Sequence, residues 1–379
     1  MLIGIDASRA LRARRTGTEN YSLQLIRHLL RLDSGHAFRL YCHQPPPPDL
    51  FAPNAGARLA APDVRVIRLP RLWTHARLSL ELLASPPDVL FVPSHVLPAI
   101  HPRRSVVTIH DLGYHWFPEA HTASARRQLD LSTRFNAATA AHVLADSQAT
   151  KDDICRVYGT ASDKITVVHL GRDESLRPVN DPARLRDVRS KLGIDRDGQT
   201  RPYLLYVGTL QPRKNLVRLI DAFATVVDIV PDLVLVLAGQ RGWLAEPIFR
   251  RVDELGLAGR VIFPGFVADD DLPALLSGAL AFVFPSLYEG FGIPVLEAQA
   301  CGAPVLSSNT SSLPEVAGDS ALLVDPLDTA AIAAGLARLV TDPELRNSLR
   351  SAGFANAAQF SWDRCARETL SVLERVSAA

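Results

Sequence analysis

Short, near-continuous apolar runs separated by longer stretches of helical period recur along the whole chain, and this rhythm sets the fold class. In the first half the runs fall at 2–5, 38–41, 64–69, 89–92, 106–109, 142–145 and 165–168. In the second they fall at 203–207, 233–238, 261–263, 281–284, 304–307 and 321–324. Strands of this kind are buried on both faces, as in a parallel sheet covered by helices. The pattern therefore predicts an α/β protein with two Rossmann-like, doubly wound parallel sheets, one in each half. Pro178, Asn180, Pro182, Asp195, Asp197 and Gly198 break the rhythm, so a linker is expected near 171–200. The chain then divides into 1–175 and 176–359, followed by a last segment, 360–379.

A length of 379 residues exceeds one compact core and suits two domains. With 47% hydrophobic and 21% charged residues the composition excludes a disordered chain. The most apolar long stretch, 272–284, is short of a membrane span and carries Pro273, with Pro285 just beyond. Met1 to Ala7 enters a strand without the layout of a signal peptide, so the expected location is cytoplasmic. Cys42, Cys155, Cys301 and Cys365 lack metal-ligand spacing and are read as packing residues. No nucleic-acid module is evident.

Net charge is only +1, but it is unevenly placed. Residues 1–180 hold 22 Lys and Arg against 16 Asp and Glu, residues 181–379 hold 19 against 24, and all 11 histidines lie in the first part. A basic first half implies an anionic partner, either a pyrophosphate-linked acceptor or an anionic membrane surface met peripherally at its inner face. Arginines that only solvate a surface are the plain alternative. Residues 68–84, with Arg71 and Arg77 beside Leu72, Trp73 and Leu80, are the candidate contact surface, unless they form a core helix with a solvated basic face.

The candidate chemistry lies in segments that follow predicted strands, where doubly wound sheets bind ligands. Tyr288-Glu-Gly-Phe-Gly-Ile-Pro-Val-Leu-Glu297 places Glu289 and Glu297 around a glycine loop that runs into a helix, with Pro294 suited to the first helical position. The free N–H groups and dipole of a helix start, with Gly290 and Gly292 permitting close approach, suit a diphosphate. The carboxylates, roughly 10 Å apart at the helical rise, can accept hydroxyls from a hexose and a ribose. After the strand at 203–207, Arg213 and Lys214 stand together at a helix start. Cations are badly placed for the dipole there, unless a bound diphosphate makes them a clamp. His110 and Asp111 end the strand at 106–109. Near the first strand, Thr16 or Thr18 can cap a helix while Gly17 allows a ligand close.

Taken together, Thr16-Gly17-Thr18, Thr108-Ile-His110-Asp111, Ala145-Asp-Ser147 with Asp153, Pro212-Arg213-Lys214-Asn215, and Glu289 with seven residues before Glu297 resemble the GT-B retaining glycosyltransferases of family 4. The similarity covers nearly the whole chain and is closest to a branch rich in mannosyltransferases. It implies a GT-B fold with an acceptor-binding first domain, a nucleotide-sugar-binding second domain, and a final helix, 360–379, that packs back on the first. Phe360-Ser-Trp362 resembles the start of that returning segment. By the same resemblance, Arg213 and Lys214 hold the diphosphate and Glu297 the ribose. Glu289, with the backbone of Gly290, Phe291, Gly292 and Ile293, holds the hexose hydroxyls. Gly17 meets the phosphate or acceptor side, His110 faces the sugar through its carbonyl, and Gly265-Phe266 borders the base. His110 and Asp111 join Arg213, Lys214 and Glu289 as the candidate catalytic set. Many relatives carry an arginine where this chain has Thr209, with Arg213 the expected substitute for that donor contact.

The implied reaction is transfer of a hexose, mannose from GDP-mannose foremost, to a lipid-linked oligosaccharide or polysaccharide. No metal or other cofactor is expected, because cations and helix N–H groups stabilise the leaving diphosphate. The alternatives are a family member using a UDP-sugar, a nucleotide-sugar epimerase or phosphorylase on the same fold, and an inactive scaffold that binds nucleotide sugars.

Overall fold

Each strand of the computed structural model is parallel to its neighbours, in two separate sheets. The structure describes residues 1–12, 17–51, 61–68, 73–94, 96–120, 122–196 and 198–379. The first sheet holds β1 (Leu2–Asp6), β2 (Ala37–Cys42), β3 (Asp63–Val66), β4 (Val89–Val92), β5 (Ser105–Ile109), β6 (His142–Ala145) and β7 (Ile165–Val167), in the order β3-β2-β1-β4-β5-β6-β7. The second holds β8 (Tyr203–Val207), β9 (Val234–Ala238), β10 (Val261–Gly265), β11 (Ala281–Phe284), β12 (Val305–Ser308) and β13 (Ala321–Val324), in the order β10-β9-β8-β11-β12-β13.

Burial explains why the apolar runs read so clearly. All residues of β4, β5, β9, β11 and β12 are buried, whereas edge strand β3 is exposed throughout. That edge carries charge, as Arg39 Nε donates to Asp63 Oδ2 at 2.8 Å and Arg65 joins at 3.1 Å, which discourages pairing with another chain. The run expected at 64–69 gives a strand ending at Val66, and 69–72 lie outside the described residues.

The chain forms two compact units, Met1–Gly171 with Ser361–Ala379, and Arg172–Phe360. The expected division at 175/176 is corrected to 171/172, and that at 359/360 to 360/361. Arg172 belongs with the second unit because its N–H donates to Phe360 O at 3.3 Å and its Nε to Ala357 O at 3.1 Å. Nor is 171–200 a free linker. Asp181 caps the helix Pro182–Lys191 within it, and Val179 N–H donates to Ser277 Oγ at 3.0 Å.

The last helix, Trp362–Ala378, lies in the first unit and is capped by Ser361, whose hydroxyl accepts from Arg364 N–H. Trp362 is buried with its ring 6.0 Å from that of Tyr21, on the helix Gly17–Arg31. His28 Nδ1 meets Asp363 at 2.6 Å and His36 Nε2 meets Glu374 at 2.9 Å, so two further points hold the returning helix.

Candidate functional site

In the second sheet the strand order reverses between β8 and β11, which are neighbours although far apart in sequence. The segments leaving their carboxyl ends, 208–215 and 285–292, are brought together there, at the kind of switch point where such sheets bind ligands. Arg213 and Lys214 belong to the short 3₁₀ turn Pro212–Lys214, and Leu287 N–H donates to Arg213 O at 2.9 Å. Arg213 Nη1 reaches Glu289 Oε2 at 3.0 Å and also donates to Tyr288 O, while Lys214 Nζ donates to Glu289 Oε1. Lys214 Nζ also stands 4.9 Å from the centre of the Phe284 ring, on β11. Two cations thus share one carboxylate, leaving the group net positive. Burial disfavours the Glu289 charge, but Arg213 and Lys214 outweigh it and hold the carboxyl at about 2.

The glycine loop opens the helix Ile293–Ala300, whose cap is Gly292. Pro294 therefore occupies the second helical position, one later than expected. Gly292 has φ +119°, and a Cβ there would meet Leu313 Cδ2 at 2.8 Å, so the turn requires glycine. Glu297 sits a turn into this helix, only partly exposed, and its carboxylate has no hydrogen bond or ion pair among the described residues. Burial, with Asp173 and Asp269 adding to it, pushes its carboxyl up to about 7.

Support for the loop comes from serines that sequence reasoning missed and from Asn215, the last residue of the motif at 212–215. The run Ser307-Ser-Asn-Thr-Ser-Ser312 begins in β12 and stitches the neighbouring segment in place. Ser308 Oγ donates to Ser286 O at 2.7 Å, Ser311 Oγ accepts from Glu289 N–H at 2.9 Å, and Ser312 Oγ donates to Glu289 O and Phe291 O at 2.9 and 2.6 Å. Asn215, with φ +62°, donates from Nδ2 to Pro285 O and Pro326 O, tying together the carboxyl ends of β11 and β13. A cluster of hydroxyls directly after a strand is the signal that could have found the first group.

Further along this edge, Thr209 is exposed, Gly265 has φ +76° at the end of β10, and Phe266 is 67% exposed. Gly239 N–H donates to Gly265 O at 2.8 Å, and a Cβ on Gly239 would lie 1.9 Å from Gly208 O. The ends of β8, β9 and β10 therefore run in backbone contact.

The first unit gives its residues different roles. His110 is buried, with Nδ1 on Asp146 Oδ2 at 2.7 Å and Nε2 on Pro93 O at 3.2 Å. A carbonyl only accepts, so Nε2 donates, and the carboxylate takes the other proton. Burial works against a charged ring, but Asp146 prevails and raises its pKa above the usual histidine value. Both ring nitrogens are thus held by neighbours within the first unit, which leaves the carbonyl as the group of His110 expected to face a sugar. Its carbonyl accepts from Thr150 Oγ1 at 3.2 Å. Asp111 is exposed and accepts from Gly113 N–H at 2.8 Å, closing a turn. Gly17 opens its helix with no atom within 4 Å of where a Cβ would stand, and Thr18 falls inside the helix rather than at its cap. Thr16 lies outside the described residues, as do Arg71 and Leu72. Trp73 is buried and donates from Nε1 to Ile67 O at 2.6 Å, so it is no surface contact.

Residues 15–176 match the model of Glycosyltransferase Family 4, and residues 191–355 that of Glycosyl transferases group 1. The O-antigen chain mannosyltransferase B of Escherichia coli is 33% identical over 368 residues, covering 94% of this chain and 95% of that protein. The chain is a family 4 glycosyltransferase. The enzyme is also 33% identical over 251 residues to the alpha-maltose-1-phosphate synthase of Mycolicibacterium smegmatis, 62% of this chain and 63% of that one. Its GT-B fold is shared with Anabaena HepE, solved in complex with UDP and glucose, at a TM-score of 0.75 and 20% identity, covering 98% and 99% of the two chains. No described helix of the enzyme is long and apolar enough to cross a membrane.

Proposed function

We propose that the enzyme transfers mannose from GDP-mannose, with retention of configuration and without a metal, to a glycan or lipid-linked acceptor. The observation that carries the reading is the cluster of half-buried Arg213 with buried Lys214 and Glu289 beside a glycine-opened helix start. It stands in a chain alike over nearly its whole length to a protein named as a mannosyltransferase.

A diphosphate entering this group shares Arg213 and Lys214 with Glu289, the guanidinium as a fork and the ammonium as a point charge. The Glu289 oxygens so released accept hexose hydroxyls, and Glu297 in its ionised form accepts a ribose hydroxyl. In the transfer step the bond from the anomeric carbon to the phosphate oxygen breaks, and the acceptor oxygen bonds to that carbon from the same face. The acceptor proton passes to the departing phosphate oxygen. Arg213, Lys214 and the helix N–H groups stabilise the charge that grows on the leaving group, so no carboxylate is needed as nucleophile.

The test is a thermal-shift comparison with GDP, UDP, ADP, GDP-mannose and UDP-glucose, first without metal and then with magnesium. A ligand of the native state raises apparent stability with the logarithm of its excess over Kd. Shifts with guanine nucleotides alone, already present without magnesium, are expected. Shifts with uridine nucleotides instead would keep the transferase and replace its donor, in line with the nucleotide bound to HepE. A shift that appears only with magnesium would overturn the metal-free step.

A further inference from the structure

The described part of the first unit contains a cavity of about 840 Å³ whose lining includes none of the candidate donor or catalytic residues and takes only His75 from the segment 68–84. That volume suits a small organic ligand. Arg9, His75 and Arg127 supply its basic lining, Val96, Leu131 and Phe135 supply apolar wall, and among the described residues no Asp or Glu lines it. Arg9 shares the buried Glu19 with Arg12, at 3.5 and 3.7 Å, so that carboxylate faces two guanidiniums. The side chains of Arg127 and His75 are exposed and have no hydrogen bond or ion pair among the described residues. Leu131 is 55% exposed on the same helix, Ala123–Thr139, one turn beyond Arg127. One helix face thus presents a guanidinium and an apolar side chain at a spacing of four residues.

Charge of one sign beside apolar wall selects an amphipathic anion. We propose that this cavity binds a phosphate ester bearing an aliphatic chain, with the phosphate on Arg127, His75 and Arg9 and the chain along Leu131, Phe135 and Val96. As the seat of the acceptor's non-sugar end, the assignment rests on the transferase reading. The binding itself does not.

The experiment titrates the full chain with octyl phosphate, inorganic phosphate and octanol by calorimetry, in parallel with anionic vesicles by sedimentation. Octyl phosphate is expected to bind at least roughly tenfold more tightly than either fragment, and Arg127→Glu and Leu131→Asp to weaken it by roughly tenfold each. Circular dichroism and the nucleotide thermal shift check that each variant is folded and that its donor site is intact. Equal affinity for octanol, or for inorganic phosphate, overturns the proposal. So does vesicle binding that falls in Arg127→Glu while octyl phosphate does not saturate, since the residues would then form a lipid-surface contact. Absence of any nucleotide shift in the wild-type chain would count against the donor reading and leave the octyl phosphate result readable.

Discussion

Lys214 and Glu289 show how single residues divide the work of this site. Lys214 is buried against Glu289 and Phe284, so its loss removes a cation that a diphosphate would use while Arg213 still pairs with the carboxylate. Lys214→Ala is expected to weaken nucleoside diphosphate binding by roughly ten- to a hundredfold, as a charged hydrogen bond is worth about 1.5–3 kcal/mol. Calorimetry that finds unchanged affinity would remove Lys214 from the donor site. The two carboxylates respond oppositely to pH. Glu289, held at about 2, stabilises the fold above its ordinary 4.5, and that contribution fades as pH falls toward 2. Glu297 ionises in the folded chain only near 7, so stability is lost as pH rises from 4.5 to about 7. Glu297→Gln should be the more stable protein at pH 8, by about 1–2 kcal/mol after allowing for its partial exposure, and equal to wild type at pH 4. Denaturant melts at the two pH values measure this. In the wild type, nucleotide affinity should also rise between pH 6 and 8, and the glutamine variant should lose that slope.

Among the elements, the segment 285–292 depends on neighbours for its shape. Its backbone is held by hydroxyls that follow β12 and by Asn215, which precedes the helix Leu216–Val226. Ser312→Ala removes the hydroxyl that ties Glu289 O and Phe291 O to the segment after β12 and is expected to cost about 1–2 kcal/mol of stability and to raise KM for the donor more than it lowers kcat. A KM that does not move would show that the loop keeps its shape without this tie. Gly292→Ala places a Cβ at φ +119° against Leu313 and should cost about 1–3 kcal/mol, read from the denaturation midpoint. The hydrogen-bonded loop was only half legible beforehand. Glycines and carboxylates have recognisable spacing, but serines 307–312 act across strands and are adjacent to the loop only because β11 and β12 pair.

For the whole molecule, the chain returns to its first unit at the end, and the final helix completes that unit's core. Trp362, Cys365, Ala366 and Leu373 are buried there. Trp362→Ala should destabilise by about 3–5 kcal/mol, the cost of a large core cavity, and lower Tm in a thermal melt. The basic first half gives a second expectation at this scale. Leu80 and Leu83 are 59% and 60% exposed on the helix Ser79–Ala84, and Ile100, whose N–H donates to Ser79 Oγ, is 50% exposed near exposed Arg103 and Arg104. The chain is expected to sediment with anionic vesicles in low salt and to be released as salt screens the arginines. Equal sedimentation with neutral vesicles would leave the charge asymmetry as a solvated surface.

By itself the sequence determined the local and repetitive features of this enzyme. Thirteen apolar runs marked its strands to within a few residues, most clearly for β4, β5, β9, β11 and β12, because strands buried on both faces must be apolar throughout. The glycine loop, the paired cations and the two carboxylates were legible for a similar reason, since each depends on residue types at fixed short spacing. Only the tertiary structure decided what those residues do to one another. It joined Arg213 and Lys214 to Glu289 because β8 and β11 are neighbours, and it committed both nitrogens of His110 to Asp146 and Pro93. It also turned Trp73 inward and drew 172–200 into the second unit. Those outcomes follow from contacts between residues tens of positions apart, which strand order creates and local pattern does not encode.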